Sequence, residues 1–184
     1  MLLLAACGTP SGNAPGAPPA PLPVLPPLPL AQIFVLEASG AAPEDTVVAV
    51  APGAPRVIVL RRSAPDFGLF AMLELQPGTD STAPARPSVE VGLRPTPGLY
   101  SVTVTFNGPV ADSATITFSY GTHFVAPAGA RERYGSNLAF EKALAIGRVG
   151  DDGVVTFLPT TRPGSDMVRA PVAAPGRYLV AAPR

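Results

Sequence analysis

The chain has 184 residues, 47% hydrophobic and only 14% charged, which is enough apolar side chain for a core and excludes wholesale disorder. Basic and acidic residues balance at 13 each, so no net field gathers phosphates and nucleic acid is not an expected partner. One cysteine excludes an internal disulfide, and with one histidine it cannot build a Cys/His metal site.

The chain opens Met1-Leu2-Leu3-Leu4-Ala5-Ala6-Cys7-Gly8. Leu4-Ala5-Ala6-Cys7 resembles the lipobox of bacterial lipoproteins, an aliphatic residue and two small residues before a cysteine. The resemblance implies cleavage just before Cys7 and a diacylglyceryl group on its thiol, hence a membrane partner reached through that lipid. It places the protein in the bacterial cell envelope, facing the periplasm or the cell surface. Gly8 stands where some bacteria use Asp to hold lipoproteins at the inner membrane. Each buried acyl CH₂ contributes about 0.8 kcal/mol, so two or three chains anchor firmly. A full secretory signal has a basic start and roughly 7–15 apolar residues. Only six residues precede Cys7, none basic, so residues 1–6 read as a truncated signal peptide.

Residues 7–30 then form a lipidated Cys and a proline-rich tether, GTPSGNAPGAPPAPLPVLPPLPL after Cys7. Proline fixes φ and removes backbone donors, which predicts neither helix nor sheet here. Gly and Ser make the start flexible; Pro21–Pro29 stiffens into polyproline II spacing of roughly 3.1 Å per residue. Pro23-Val24-Leu25-Pro26 fits a PxxP ligand, but any proline-rich run contains that pattern, and a spacer is the favoured reading.

From Ala31 the period changes. Apolar runs at Ala31–Ala38, Thr46–Ala51, Arg56–Arg61, Phe67–Gln76, Pro87–Leu93, Leu99–Phe106 and Ser113–Tyr120 are rich in β-branched and aromatic residues and mostly separated by Pro, Gly, Asn or Asp. They predict strands. Val89, Val91 and Leu93 share one face; so do Tyr100, Val102, Val104 and Phe106, and Ala114, Ile116, Phe118 and Tyr120. That alternation marks antiparallel sheets with one wet face. Arg56–Arg61 is apolar on both faces, as a central strand would be. Asn107-Gly108-Pro109 predicts a hairpin between the last two runs.

About seven strands in roughly 90 residues predict an all-β antiparallel sandwich. Residues 31–120 resemble immunoglobulin-like modules of bacterial surface proteins. Val47–Leu75 looks like the early strands, and Pro97-Gly98-Leu99-Tyr100-Ser101-Val102, continuing to Tyr120, like the closing hairpin. In the PGxYxV pattern, Pro-Gly turns the chain and the tyrosine packs inward with its hydroxyl free for nearby backbone. Residues 121–184 form a C-terminal β-rich region, either extra strands on the sandwich or a smaller second β module. Ser136–Ile146 opens as a short helix capped near Ser136 or Asn137, and its second half equally fits the start of a strand. Val149–Leu158 predicts a hairpin turning at Asp151-Asp152-Gly153. Pro175-Gly176-Arg177-Tyr178-Leu179-Val180 echoes PGxYxV. The chain stops four residues later, so a separate second module would lack its last strand and expose an edge. That favours packing on the first.

No catalytic residue is expected. His123 is the sole histidine and no GxSxG nucleophile elbow occurs. Asp151-Asp152-Gly153 lacks the spacing of an EF-hand, so no metal is expected, and no phosphate loop suggests a cofactor. Sugar-binding platforms use exposed aromatics; there is no Trp, and Tyr134, flanked by Arg131 and Arg133, is the one candidate contact. The expected function is a non-enzymatic envelope lipoprotein whose sandwich serves structure or contact with an envelope protein. The alternative is a carbohydrate- or peptidoglycan-binding surface module.

Overall fold

Alternating sequence becomes paired strand throughout the computed structural model, which describes residues 24–51, 55–76, 88–108 and 113–184. Cys7 and the tether up to Pro23 lie outside the described residues. The strands are β1 (Leu28–Pro29), β2 (Ile33–Val35), β3 (Glu37–Ala38), β4 (Thr46–Val50), β5 (Arg56–Arg61), β6 (Leu69–Gln76), β7 (Val89–Pro95), β8 (Ser101–Phe106) and β9 (Ser113–Ser119). After β10 (Phe124–Val125) come α1 (Ala130–Tyr134) and α2 (Asn137–Ala143), then β11 (Ala145–Val149), β12 (Val154–Phe157), β13 (Met167–Pro171) and β14 (Gly176–Pro183).

The fold is an all-β antiparallel sandwich. The larger sheet runs β1-β12-β11-β14-β8-β7-β4, with β2 also on β14; the smaller runs β13-β9-β6-β5. One core lies between them. Val91, Leu93, Val102, Val104, Tyr178 and Val180 face it from the larger sheet; Ile58, Leu60, Leu73, Ile116, Phe118 and Val168 face it from the smaller. The predicted alternation of β7 is realised: Val89, Val91 and Leu93 are buried while Glu90 and Arg94 are exposed.

The segment after Tyr120 supplies strands to both sheets. β13 pairs with β9, and β14 lies between β8 and β11. The second PGxYxV strand is therefore central rather than an exposed edge. Its Tyr178–Ala182 stretch is buried on both faces. Tyr178 and Val180 enter the main core, while Leu179 and Ala181 join a second cluster with Ile33, Val155 and Phe157 outside the sheet.

Two sequence expectations give way here. The hairpin expected at Asn107-Gly108-Pro109 is not formed: β8 and β9 lie in different sheets. β8 already has β7 and β14 as neighbours, so no edge remains for β9. Alternation reports which face is buried, not which sheet a strand joins. Likewise, β5 is an edge strand, with Val57 49% and Val59 38% exposed. Arg56 and Arg61 at its ends are the charges with which natural edge strands blunt unwanted pairing.

The end of the proline-rich segment also pairs. Leu28 and Pro29 face Val155 and Val154, and Leu25, Leu28 and Leu30 pack on the second cluster. Proline is admissible there because β1 is an edge. The C-terminal reading resolves into helix and strand: Ser136 Oγ accepts from Ala139 N at 3.1 Å as an N-cap, and β11 starts two residues after α2. The Asp151-Asp152-Gly153 turn joins β11 and β12, with Asp152 Oδ1 accepting from Val154 N at 2.9 Å.

Candidate functional site

The densest polar chemistry gathers where three chain segments meet. β3 pairs with β10 in a small two-stranded sheet, Ala38 facing Phe124. That pairing sets Ser39, just after β3, beside His123, just before β10. The third segment is the loop from Arg62 to Gly68 between β5 and β6. It closes through the Arg62 N–H to the Gly68 carbonyl at 2.9 Å.

His123 joins all three. Its Nδ1 lies 3.2 Å from Ser39 Oγ, and its Nε2 is in contact with Asp66 Oδ2. Asp66 Oδ1 also accepts from the Gly68 N–H at 3.3 Å. Partial burial pushes the Asp66 pKa upward, but the hydrogen bonds from His123 and Gly68, with the electrostatic pull of the His123 ring and the Arg62 guanidinium, outweigh it. The carboxyl is held below its ordinary value. The residue after it, Phe67, has φ +48 and a 60% exposed ring. A bulky residue in that left-handed region costs of order 1–3 kcal/mol and is found mainly where surroundings impose it.

Beneath this surface chain lies a buried one. Arg62 is only 4% exposed. Its guanidinium sits 5.2 Å from the Phe70 ring centre and 5.4 Å from that of Tyr100. It donates to the Ser39 carbonyl at 3.0 Å and the Tyr100 hydroxyl at 2.6 Å. Tyr100 in turn donates to the Tyr120 carbonyl at 3.3 Å. Tyr120 accepts from Arg162 at 2.7 Å, and Arg162 also donates to the carbonyls of Glu141 and Leu144. Desolvation raises the pKa of both phenols despite the adjacent arginines. They remain neutral, able to accept from arginine and donate to backbone.

The residues singled out from sequence lie elsewhere. Arg131, Arg133 and Tyr134 are on α1, the arginines exposed and the tyrosine half-buried. The Tyr134 ring centre is 5.5 Å from that of Phe140, and its hydroxyl donates to the Pro183 carbonyl at 2.6 Å. Tyr134 and Arg131, one helical turn apart, share a side of the helix that Arg133 does not. Ring contacts from Tyr120 through Phe124 and Phe140 to Tyr134 link this helix to the His123 cluster.

Ser39 and Asp66 were not found from sequence. They lie 84 and 57 residues from His123, and no fixed spacing announces them. The available signal was local: Ser39-Gly40 and Ala64-Pro65-Asp66-Phe67-Gly68 are turn-forming stretches at strand ends. Among the described residues, no group of three His, Cys, Asp or Glu is arranged to hold a metal ion. No helix of the described residues is long and apolar enough to cross a membrane. Compared with known protein families, curated proteins and solved structures, the chain matches none.

Proposed function

We propose that this chain is a lipid-anchored protein of the bacterial cell envelope, held through Cys7, whose sandwich serves structure or protein–protein contact. The sequence Leu4-Ala5-Ala6-Cys7 followed by a proline-rich stretch carries the reading. The junction with the folded part is consistent with it. The chain enters the sandwich as β1, a strand of the larger sheet, and Leu28 with the flanking Leu25 and Leu30 packs on the second cluster. Tension on such a tether would pass into a packed sheet rather than a loose loop. A contact role draws support from the two end strands β4 and β5, which expose Val47, Val57 and Val59. Exposed apolar side chains are a surface on which another protein can pack.

Expression of the full gene in a bacterial host, with and without globomycin, tests the anchor. The wild-type chain is expected in the membrane fraction, with a heavier precursor accumulating under the inhibitor. Cys7→Ser is expected to move it to the soluble fraction. Unchanged fractionation of that variant would remove the anchor from the proposal.

A further inference from the structure

The chain Ser39–His123–Asp66 has no part in that reading. A carboxylate is acceptor-only, so the ring nitrogen facing Asp66, Nε2, carries the proton in the neutral imidazole. Nδ1 then holds a lone pair, and it faces Ser39 Oγ at 3.2 Å. A histidine so placed can take a proton from a serine hydroxyl while an acid fixes its tautomer, with the two ring nitrogens exchanged relative to the Ser–His–Asp triad.

We propose that Ser39 is an activated nucleophile toward small acyl esters, with His123 as its general base and Asp66 as the group that positions the imidazole. Ser39 is exposed, and the side chains of His123 and Asp66 are 22% and 33% exposed, so substrate meets them from solvent. Gly40 follows the serine. Its φ of +80 lies in the left-handed region that glycine adopts freely, and a Cβ there would only reach ordinary contact with the ring, 3.6 Å from Nδ1 and Cε1. Arg62, buried and donating to the Ser39 carbonyl, fixes the backbone behind the nucleophile. The serine uses Nδ1, the nitrogen nearer the ring's attachment point.

The steps balance as an ester hydrolysis. Oγ attacks the carbonyl carbon while its proton passes to Nδ1. The tetrahedral adduct collapses, the C–O bond to the alcohol breaks, and the leaving oxygen takes the proton from Nδ1. Water then attacks the acyl-Ser39 carbonyl, giving its proton to Nδ1. Ser39 departs with that proton and the carboxylic acid is released.

The test uses the purified full chain with a fluorophosphonate probe, read by intact mass and peptide mapping, and p-nitrophenyl acetate turnover. One adduct on Ser39 is expected, absent in Ser39→Ala. His123→Gln keeps a hydrogen-bonding side chain without the base and is expected to slow labelling by about 100-fold, the scale of a general base. Asp66→Asn is expected to slow it less. Circular dichroism establishes that each variant is folded. Should His123→Gln unfold, His123→Asn, which also lacks the base, takes its place with the same expected slowing. No adduct, an adduct elsewhere, or a folded His123→Gln or His123→Asn that reacts at the wild-type rate would overturn the proposal. None of these outcomes bears on the Cys7 anchor.

Discussion

The two PGxYxV strands are neighbours, and they differ in one atom's use. Gly98 and Gly176 turn the chain at φ +73 and +148, conformations open to glycine. Tyr100 and Tyr178 are both fully buried. Their strands run antiparallel side by side, Tyr178 facing Val102 and the Val180 N–H reaching the Tyr100 carbonyl at 2.9 Å. Yet the Tyr178 hydroxyl donates to the Ala174 carbonyl, four residues back, at 2.5 Å. The Tyr100 hydroxyl accepts from Arg62, 38 residues away, and donates to Tyr120, 20 residues away. The local motif buries the ring. What the hydroxyl then does is set by the loops that happen to surround it.

The ring contribution is the larger one and should be common to both. Tyr100→Ala and Tyr178→Ala are each expected to cost about 3–5 kcal/mol, the range for deleting a buried aromatic. Urea unfolding followed by circular dichroism measures it. A loss under about 1 kcal/mol at either position would break the equivalence. The hydroxyls should then separate the two. Tyr100→Phe strands a buried guanidinium donor, an expected cost of about 1–3 kcal/mol. Tyr178→Phe removes one local hydrogen bond, at about 0.5–1.5 kcal/mol. Equal losses would mean that the arginine pairing contributes nothing beyond an ordinary bond.

What could be read in advance follows the same division. Burial and strand identity are local, so Val89/Val91/Leu93, Tyr100/Val102/Val104 and the Asp151-Asp152-Gly153 turn were legible from alternation and turn chemistry. Sheet membership is not local. Nothing in Ser101–Phe106 says that its open edge is taken by Gly176–Leu179 rather than by Ser113–Ser119. The edge position of Arg56–Arg61 was signalled by its terminal arginines, but apolar residues on both faces, Val57 and Val59 on one and Ile58 and Leu60 on the other, pointed to a centre. The site fared worst. His123 was visible as a lone histidine, while its partners became partners only when β3 paired with β10 and the Arg62–Gly68 loop folded over them. Tyr134 reads in the sequence as an exposed ring, and a carbonyl from the far end of the chain, Pro183, engages its hydroxyl.

The smallest expected effect separates the two tyrosine neighbourhoods by charge. The Tyr100 side is wired through Arg62 and Ser39 to the His123–Asp66 pair; the Tyr178 hydroxyl ends on a neutral carbonyl. Asp66 is held below its ordinary value of 3.8. A carboxyl with a depressed folded pKa stabilises the fold above its unfolded value, and that contribution disappears as pH falls through the folded one. The stability difference between wild type and Asp66→Asn should therefore be present in urea at about pH 7 and shrink by about pH 3. Both surroundings contribute to burial of a tyrosine, so Tyr178→Phe should shift the unfolding curve by the same amount at either pH. A difference for Asp66→Asn that survived acid would assign it to the amide's packing rather than to the lost charge. The end of the sandwich that holds Ser39 would then be tied by shape, not by the ion pair.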